Sequence, residues 1–123
     1  KAAVAALTGP QDESQRAMKE LRSRRDLALK ILKSVDGIDV IEPIGAFYIW
    51  PDVSKLFGKK TSQNQMISNS TEFAAALLDQ EGVAVVPGIE FGAEGYIRLA
   101  YTLGQARLTE GVNRLKKFIE SLV

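Results

Sequence analysis

Apolar residues recur at three- and four-residue spacings toward both ends of this 123-residue chain, and between the two tracts the pattern breaks into short β-rich runs. From about Asp12 or Ser14 to Ser34 the positions Met18, Leu21, Ala28, Ile31, Leu32 and Val35 line one side of a long amphipathic helix that Gly37 stops. Leu108, Val112, Leu115, Ile119 and Leu122 mark a second helix at the C-terminal end. Two such stripes must each be buried against another element, so the intervening runs have to supply the opposing layer. Ahead of them, Lys1–Leu7 is rich in helix formers and Thr8-Gly9-Pro10 interrupts it, which reads as the end of a preceding helix.

The middle of the chain reads as strands around one helix. Ile38–Glu42 and Ala46–Trp50 are β-rich runs separated by Pro43-Ile44-Gly45, expected as neighbouring extended segments in a hairpin-like pair, with Pro51-Asp52 closing the second. Gly58–Asn69 is polar and aperiodic, an exposed and mobile loop. Asn69 or Ser70 caps a helix running to Glu81, Glu72 lies where its carboxylate can reach back to the cap amide, and Gly82 ends the helix. Asn69-Ser70-Thr71 also fits a glycosylation acceptor, but no secretory signal accompanies it. Val83–Val86 is apolar on both faces, as expected of a strand in mid-sheet, and Pro87-Gly88 ends it. Tyr96–Tyr101 is the last strand. The expected fold is a two-layer α+β domain: a short, mostly antiparallel sheet covered by helices, with long N-terminal and C-terminal helices.

Missing residue types narrow the chemistry. With no His and no Cys, the chain cannot hold a Ser-His-Asp triad, a Cys nucleophile, a disulfide or a zinc finger. Catalysis would have to use carboxylates, Lys, Arg, Tyr or backbone. The net charge of +1 gives no global reason to bind nucleic acid or an anionic membrane. Residues 1–34 carry eight basic and four acidic side chains, but no aromatic residue is interleaved, so a solvated helix face is the simpler reading. No apolar run approaches the roughly 18–20 residues that span a bilayer. No metal site, nucleic-acid partner or membrane partner is expected, and the absence of Cys and of a targeting segment is compatible with a cytoplasmic protein.

The sharpest candidate residue is Arg98. Alternation along Tyr96–Tyr101 puts Ile97, Leu99 and Tyr101 on one face and Tyr96, Arg98 and Ala100 on the other. If the first set faces the helices, Arg98 points away from the core, to water or into a cleft completed by something this chain does not contain. Its planar fork of donors suits a carboxylate or phosphate. Residues alone leave two readings open, a ligand-binding Arg and a structural or exposed one. Gly88, Gly92 and Gly95 are read as turn residues rather than an anion cradle, since a strand and not a helix follows them. Gly58-Lys59-Lys60-Thr61 is no phosphate loop, because Val53 stands where the motif needs Gly. Glu42, Asp52, Glu90 and Glu94 are not forced together by their spacing. Phe47, Tyr48 and Trp50 are read as core or interface residues rather than a stacking platform.

Gly45-Ala46-Phe47-Tyr48-Ile49-Trp50, then Gly82-Val83-Ala84-Val85-Val86-Pro87-Gly88, then Phe91-Gly92, Gly95 and Ile97-Arg98-Leu99-Ala100-Tyr101, resemble in order and spacing the fold-type I aminotransferases that depend on pyridoxal 5'-phosphate, of the aspartate aminotransferase type. The resemblance runs from Lys1 to Val123 and covers only that family's C-terminal small domain. It implies residues 1–8 as the end of an interdomain segment and 9–123 as the small domain, with the catalytic large domain outside this chain. It implies that Arg98 binds the substrate's α-carboxylate. The implied reaction passes an amino group from aspartate to 2-oxoglutarate, giving oxaloacetate and glutamate, with amino-acid and 2-oxo-acid substrates and a homodimer when full length.

In the family, the Schiff-base lysine and the residues that hold the cofactor belong to the large domain, so none is assigned here. Lys55, Lys59, Lys60, Lys116 and Lys117 fall in loops or on helix surfaces. The chain alone is expected to catalyse nothing. Two further readings are the ligand-sensing part of an aminotransferase-like transcription regulator and a free-standing carboxylate-binding module.

Overall fold

A computed structural model describes residues 1–123. Nine elements follow in the order α1 (Ala2–Thr8), α2 (Asp12–Leu32), β1 (Asp39–Val40), β2 (Tyr48–Ile49), β3 (Pro51–Asp52), α3 (Ser70–Glu81), β4 (Val86–Pro87), β5 (Ile97–Ala100) and α4 (Gln105–Glu120), with 3-10 turns at Ser54–Leu56 and Gly88–Phe91. The α+β architecture is as expected, with an antiparallel β2-β5-β4 sheet and a separate β1-β3 pair. A single bridge, Asp52 to Tyr96, joins the two.

One continuous core of 22 buried residues lies between sheet and helices. Leu108, Val112, Leu115 and Ile119 of α4 bury their stripe there, and Phe118 meets Phe73 of α3 edge to face at 5.4 Å. The final strand contributes Ile97 and Leu99 from its inward face. Helix α2 departs from the expected stripe. Ala28, Leu29 and Leu32 are buried, but Met18 is 56% exposed, because α2 is exposed through Glu20 and Leu21 is its first side chain packed against the core.

The strands pair differently from expectation. Asp39–Val40 pairs with Pro51–Asp52, not with Ala46–Trp50, while Tyr48 and Ile49 pair with Ala100 and Leu99 of β5. Pro51-Asp52 is therefore a strand of its own rather than a terminator. The chain changes partner at Trp50, which lets one extended run stitch both strand pairs together. Val83–Val86 is not a mid-sheet strand: only Val86 and Pro87 pair, β4 lies at the sheet edge, and Ala84 is exposed. Proline lacks an N–H and suits such an edge.

The 58–69 loop is tied down rather than free. Lys60 and Val123 exchange backbone hydrogen bonds of 2.7 and 3.0 Å, and Thr61 and Ile67 are buried. At the start of α3, Asn69 accepts from the Glu72 N–H at 2.9 Å, while the Glu72 carboxylate takes the Ser68 N–H, one residue short of the expected Asn69 amide. Gly82 closes the helix at φ 66. No helix is long and apolar enough to cross a membrane.

Candidate functional site

Strand β5 sets the direction of Arg98. Ile97, Leu99 and Tyr101 are buried on the helix side, whereas Arg98 is half-buried and Ala100 exposed on the other face. Of the three half-buried arginines, Arg24 pairs with Glu20 at 2.8 Å and Arg25 with Asp26 at 2.7 Å. Arg98 has neither an ion pair nor a hydrogen bond within the chain. Two aromatic rings flank it instead: its guanidinium carbon lies 4.4 Å from the Tyr48 ring centroid and 4.6 Å from that of Phe91. Contacts of this kind favour the cation through the ring faces and leave its N–H groups unspent.

Each ring is placed by its own element. Tyr48 is opposite Ala100 in the β2–β5 register, so it shares the face of Arg98 and lies diagonal to it. Its loop is anchored by the buried Tyr101, whose hydroxyl donates to the Ala46 carbonyl at 2.7 Å, and burial pushes the Tyr101 hydroxyl pKa up. Arg25 adds a hydrogen bond of 3.2 Å to the Pro43 carbonyl. Phe91 ends the 3-10 turn between β4 and β5, and Trp50 meets it edge on at 5.2 Å.

The glycines of that connection are turn residues. Gly92 and Gly95 have φ of 70 and 93. Gly88 donates to the Tyr96 carbonyl at 2.7 Å, and a Cβ there would stand 2.1 Å from the Ala93 carbonyl oxygen. Close backbone approach explains it without an anion.

The acidic candidates serve separate local jobs. Glu42 faces Arg25 and Lys33, each at 3.6 Å. Asp52 accepts from the Ser54 N–H at 2.9 Å, and hydrogen bonding from Ser54, helped by Lys55 and Tyr96, holds its carboxyl below the usual range against the opposing effect of burial. Glu94 accepts from the Ser70 N–H at 2.7 Å and the Gly95 N–H at 3.1 Å, which keeps its pKa low. Glu90 is exposed on the 3-10 turn.

Among the lysines, Lys55 pairs with Asp39 at 2.6 Å and Lys117 with Glu81 at 2.8 Å. Lys116 lies 3.6 Å from Glu120, Lys59 reaches the Leu122 carbonyl at 3.2 Å, and Lys60 is exposed. A cleft of about 510 Å³ between Gly82–Ala84, Thr102–Leu103 and α4 does not include Arg98.

Chemically, then, the site is a rigidly mounted cation with its planar donor edge uncommitted. It can take a carboxylate in a paired, charge-assisted contact. Sequence reasoning found Arg98 but not its two aromatic neighbours. Tyr48 carried a usable signal, since pairing the Phe47–Trp50 run antiparallel to β5 places it on the face of Arg98; Phe91 carried none, because a turn has no face rule.

Comparison with known proteins follows the same residues. The family model of class I and II aminotransferases matches residues 1–115. A probable aspartate/prephenate aminotransferase of Rickettsia conorii is 44% identical over 119 residues, which is 97% of this chain and 30% of that protein. The aspartate aminotransferase of Rhizobium meliloti is 40% identical over 114 residues, 93% of this chain and 28% of that protein. The crystal structure of the aspartate aminotransferase from Rhizobium meliloti superposes with a TM-score of 0.93 at 37% identity over 99% of this chain and 30% of that one. An alanine aminotransferase from Pyrococcus furiosus gives 0.83 at 34% identity, over 97% and 28%. The chain thus spans about 30% of the length of the curated relatives it matches.

Proposed function

The chain belongs to the class I and II aminotransferases, and on that premise we propose that residues 9–123 are the small domain of a pyridoxal-phosphate-dependent enzyme, entered through residues 1–8, in which Arg98 binds the α-carboxylate of the substrate. The observation that carries this reading is the half-buried, unpaired Arg98 on the outward face of β5. An arginine in that state has an uncompensated charge and free in-plane donors, which a carboxylate satisfies.

In this reading the amino donor is aspartate, which the relatives' names support, and the acceptor is 2-oxoglutarate, as the family resemblance implies; the relatives named aspartate/prephenate aminotransferase support prephenate as a further substrate. Pyridoxal phosphate supplies the electron sink for the proton shifts at Cα when bound to the remainder of the enzyme. The role of this chain is to bind and orient. Fixing the carboxylate from a strand limits rotation about the substrate's Cα–N bond, so the reacting bond is presented in one direction. The whole enzyme works as a cytoplasmic homodimer.

The test is Arg98→Ala in the full-length enzyme. Its expected outcome is a kcat/KM for aspartate lowered by about a hundredfold or more, in line with the loss of a charged hydrogen-bonding pair, with the cofactor absorbance unchanged. Wild-type kinetics in that variant would overturn the assignment.

A further inference from the structure

We propose that Tyr48 and Phe91 are positioning residues for Arg98, holding its charge through their ring faces so that its donor edge stays free for a carboxylate. The inference rests on the reading of Arg98 as the carboxylate-binding residue and adds how the site is kept ready.

Phe91 is 49% exposed and does not belong to the 22-residue core. Single exposed apolar side chains are common on protein surfaces, so what sets Phe91 apart is the cation held against its ring. Its contacts here are the Arg98 guanidinium at 4.6 Å and the edge of Trp50 at 5.2 Å. Tyr48 approaches the same guanidinium at 4.4 Å from β2 and stacks obliquely on Phe47 at 4.6 Å. The two rings come from positions 43 residues apart, one in a strand and one in a turn, and meet at one cation.

An acidic neighbour would also fix Arg98, but it would occupy the N–H groups and compete with the incoming carboxylate. Arg25 shows that alternative, with both its Nε and its Nη2 donating to Asp26 at 2.9 and 2.7 Å. Ring faces attract the cation without accepting those hydrogen bonds. They also exclude water from part of the guanidinium, which strengthens the later contact with an anion.

The test uses the full-length, cofactor-loaded enzyme and succinate, an unreactive dicarboxylate, with Kd read by calorimetry. Phe91 is replaced by phenylalanines carrying one, two and three ring fluorines, which drain the ring face while barely changing its size. Kd is expected to rise stepwise, reaching roughly 3- to 10-fold at the end of the series. Phe91→Tyr, which keeps the ring face, should bind as wild type, and Phe91→Leu and Tyr48→Leu should each weaken binding comparably to the trifluorinated ring.

A flat fluorine series alongside a large loss in Arg98→Ala overturns the aromatic role alone. Unchanged succinate binding in Arg98→Ala overturns the carboxylate-binding reading itself, and the clamp with it.

Discussion

Arg98 is mounted on a strand whose alternation decides its direction, and that was readable from Ile97, Leu99 and Tyr101 alone. What holds the guanidinium was not, because Tyr48 and Phe91 reach it through a long-range register and a turn. Lysine cannot reproduce this arrangement: an ammonium lacks both the planar fork and the flat surface that packs on a ring. Arg98→Lys in the full-length enzyme should therefore lose about tenfold or more in kcat/KM for aspartate, as expected of losing one good charged hydrogen bond; steady-state kinetics checks it. Gly88 is the other residue with no tolerance. Its backbone is not left-handed, but an added methyl would meet the Ala93 and Tyr96 carbonyl oxygens at 2.1 and 2.5 Å. Backbone must move to admit it. Gly88→Ala should cost about 2–3 kcal/mol in denaturant unfolding, and by shifting the turn that bears Phe91 it should also weaken substrate binding.

At the scale of elements, the helices were legible and the strand pairings were not. Helices α2, α3 and α4 carry their period over many residues, whereas β1 to β4 are two residues each, too short for alternation to announce a partner. The partner switch at Trp50 and the edge position of Val86-Pro87 depend on contacts with β5 that no local pattern encodes. The start of α3 shows how much capping this chain concentrates in one place. Asn69 takes the Glu72 N–H, Glu72 takes the Ser68 N–H, and Glu94 takes the Ser70 N–H from the far side of the β4–β5 turn. Asn69→Ala should cost about 1 kcal/mol of stability, read as a lowered denaturation midpoint at unchanged slope.

Glu94 adds a pH dependence to the same helix start. Its folded pKa lies below the ordinary 4.5, so its stabilisation is complete above that value and is lost as pH falls through the lower, folded one. Melting temperature measured down an acid series should fall less steeply in Glu94→Gln than in the wild type, below pH 4.5 only. A parallel course for the two proteins would mean that the Ser70 and Gly95 amides find other acceptors.

On the scale of the whole molecule, what the chain leaves uncovered is as informative as its core. Val4, Leu7, Ile41 and Ile44 are from 62% to fully exposed, and α2 is exposed from its start through Glu20. These surfaces fit contact with the remaining length that the relatives have and this chain does not. On the proposed division, in which this chain supplies the carboxylate-binding Arg98, it should show no defined cofactor site by itself. A lysine must lose its proton before it can attack an aldehyde, and at Lys55 the opposite is favoured, since its hydrogen bond to Asp39 raises its pKa; the Lys117 ammonium is engaged by the Glu81 carboxylate at 2.8 Å. Lys60 is exposed on its loop. Pyridoxal phosphate added to the 123-residue chain and trapped with borohydride should therefore label many lysines slowly and substoichiometrically, in rough proportion to exposure. Peptide mapping reads the distribution. One lysine labelled stoichiometrically at low cofactor concentration would contradict the division of labour proposed here, because it would place the carbonyl-binding group and Arg98 within a single small domain.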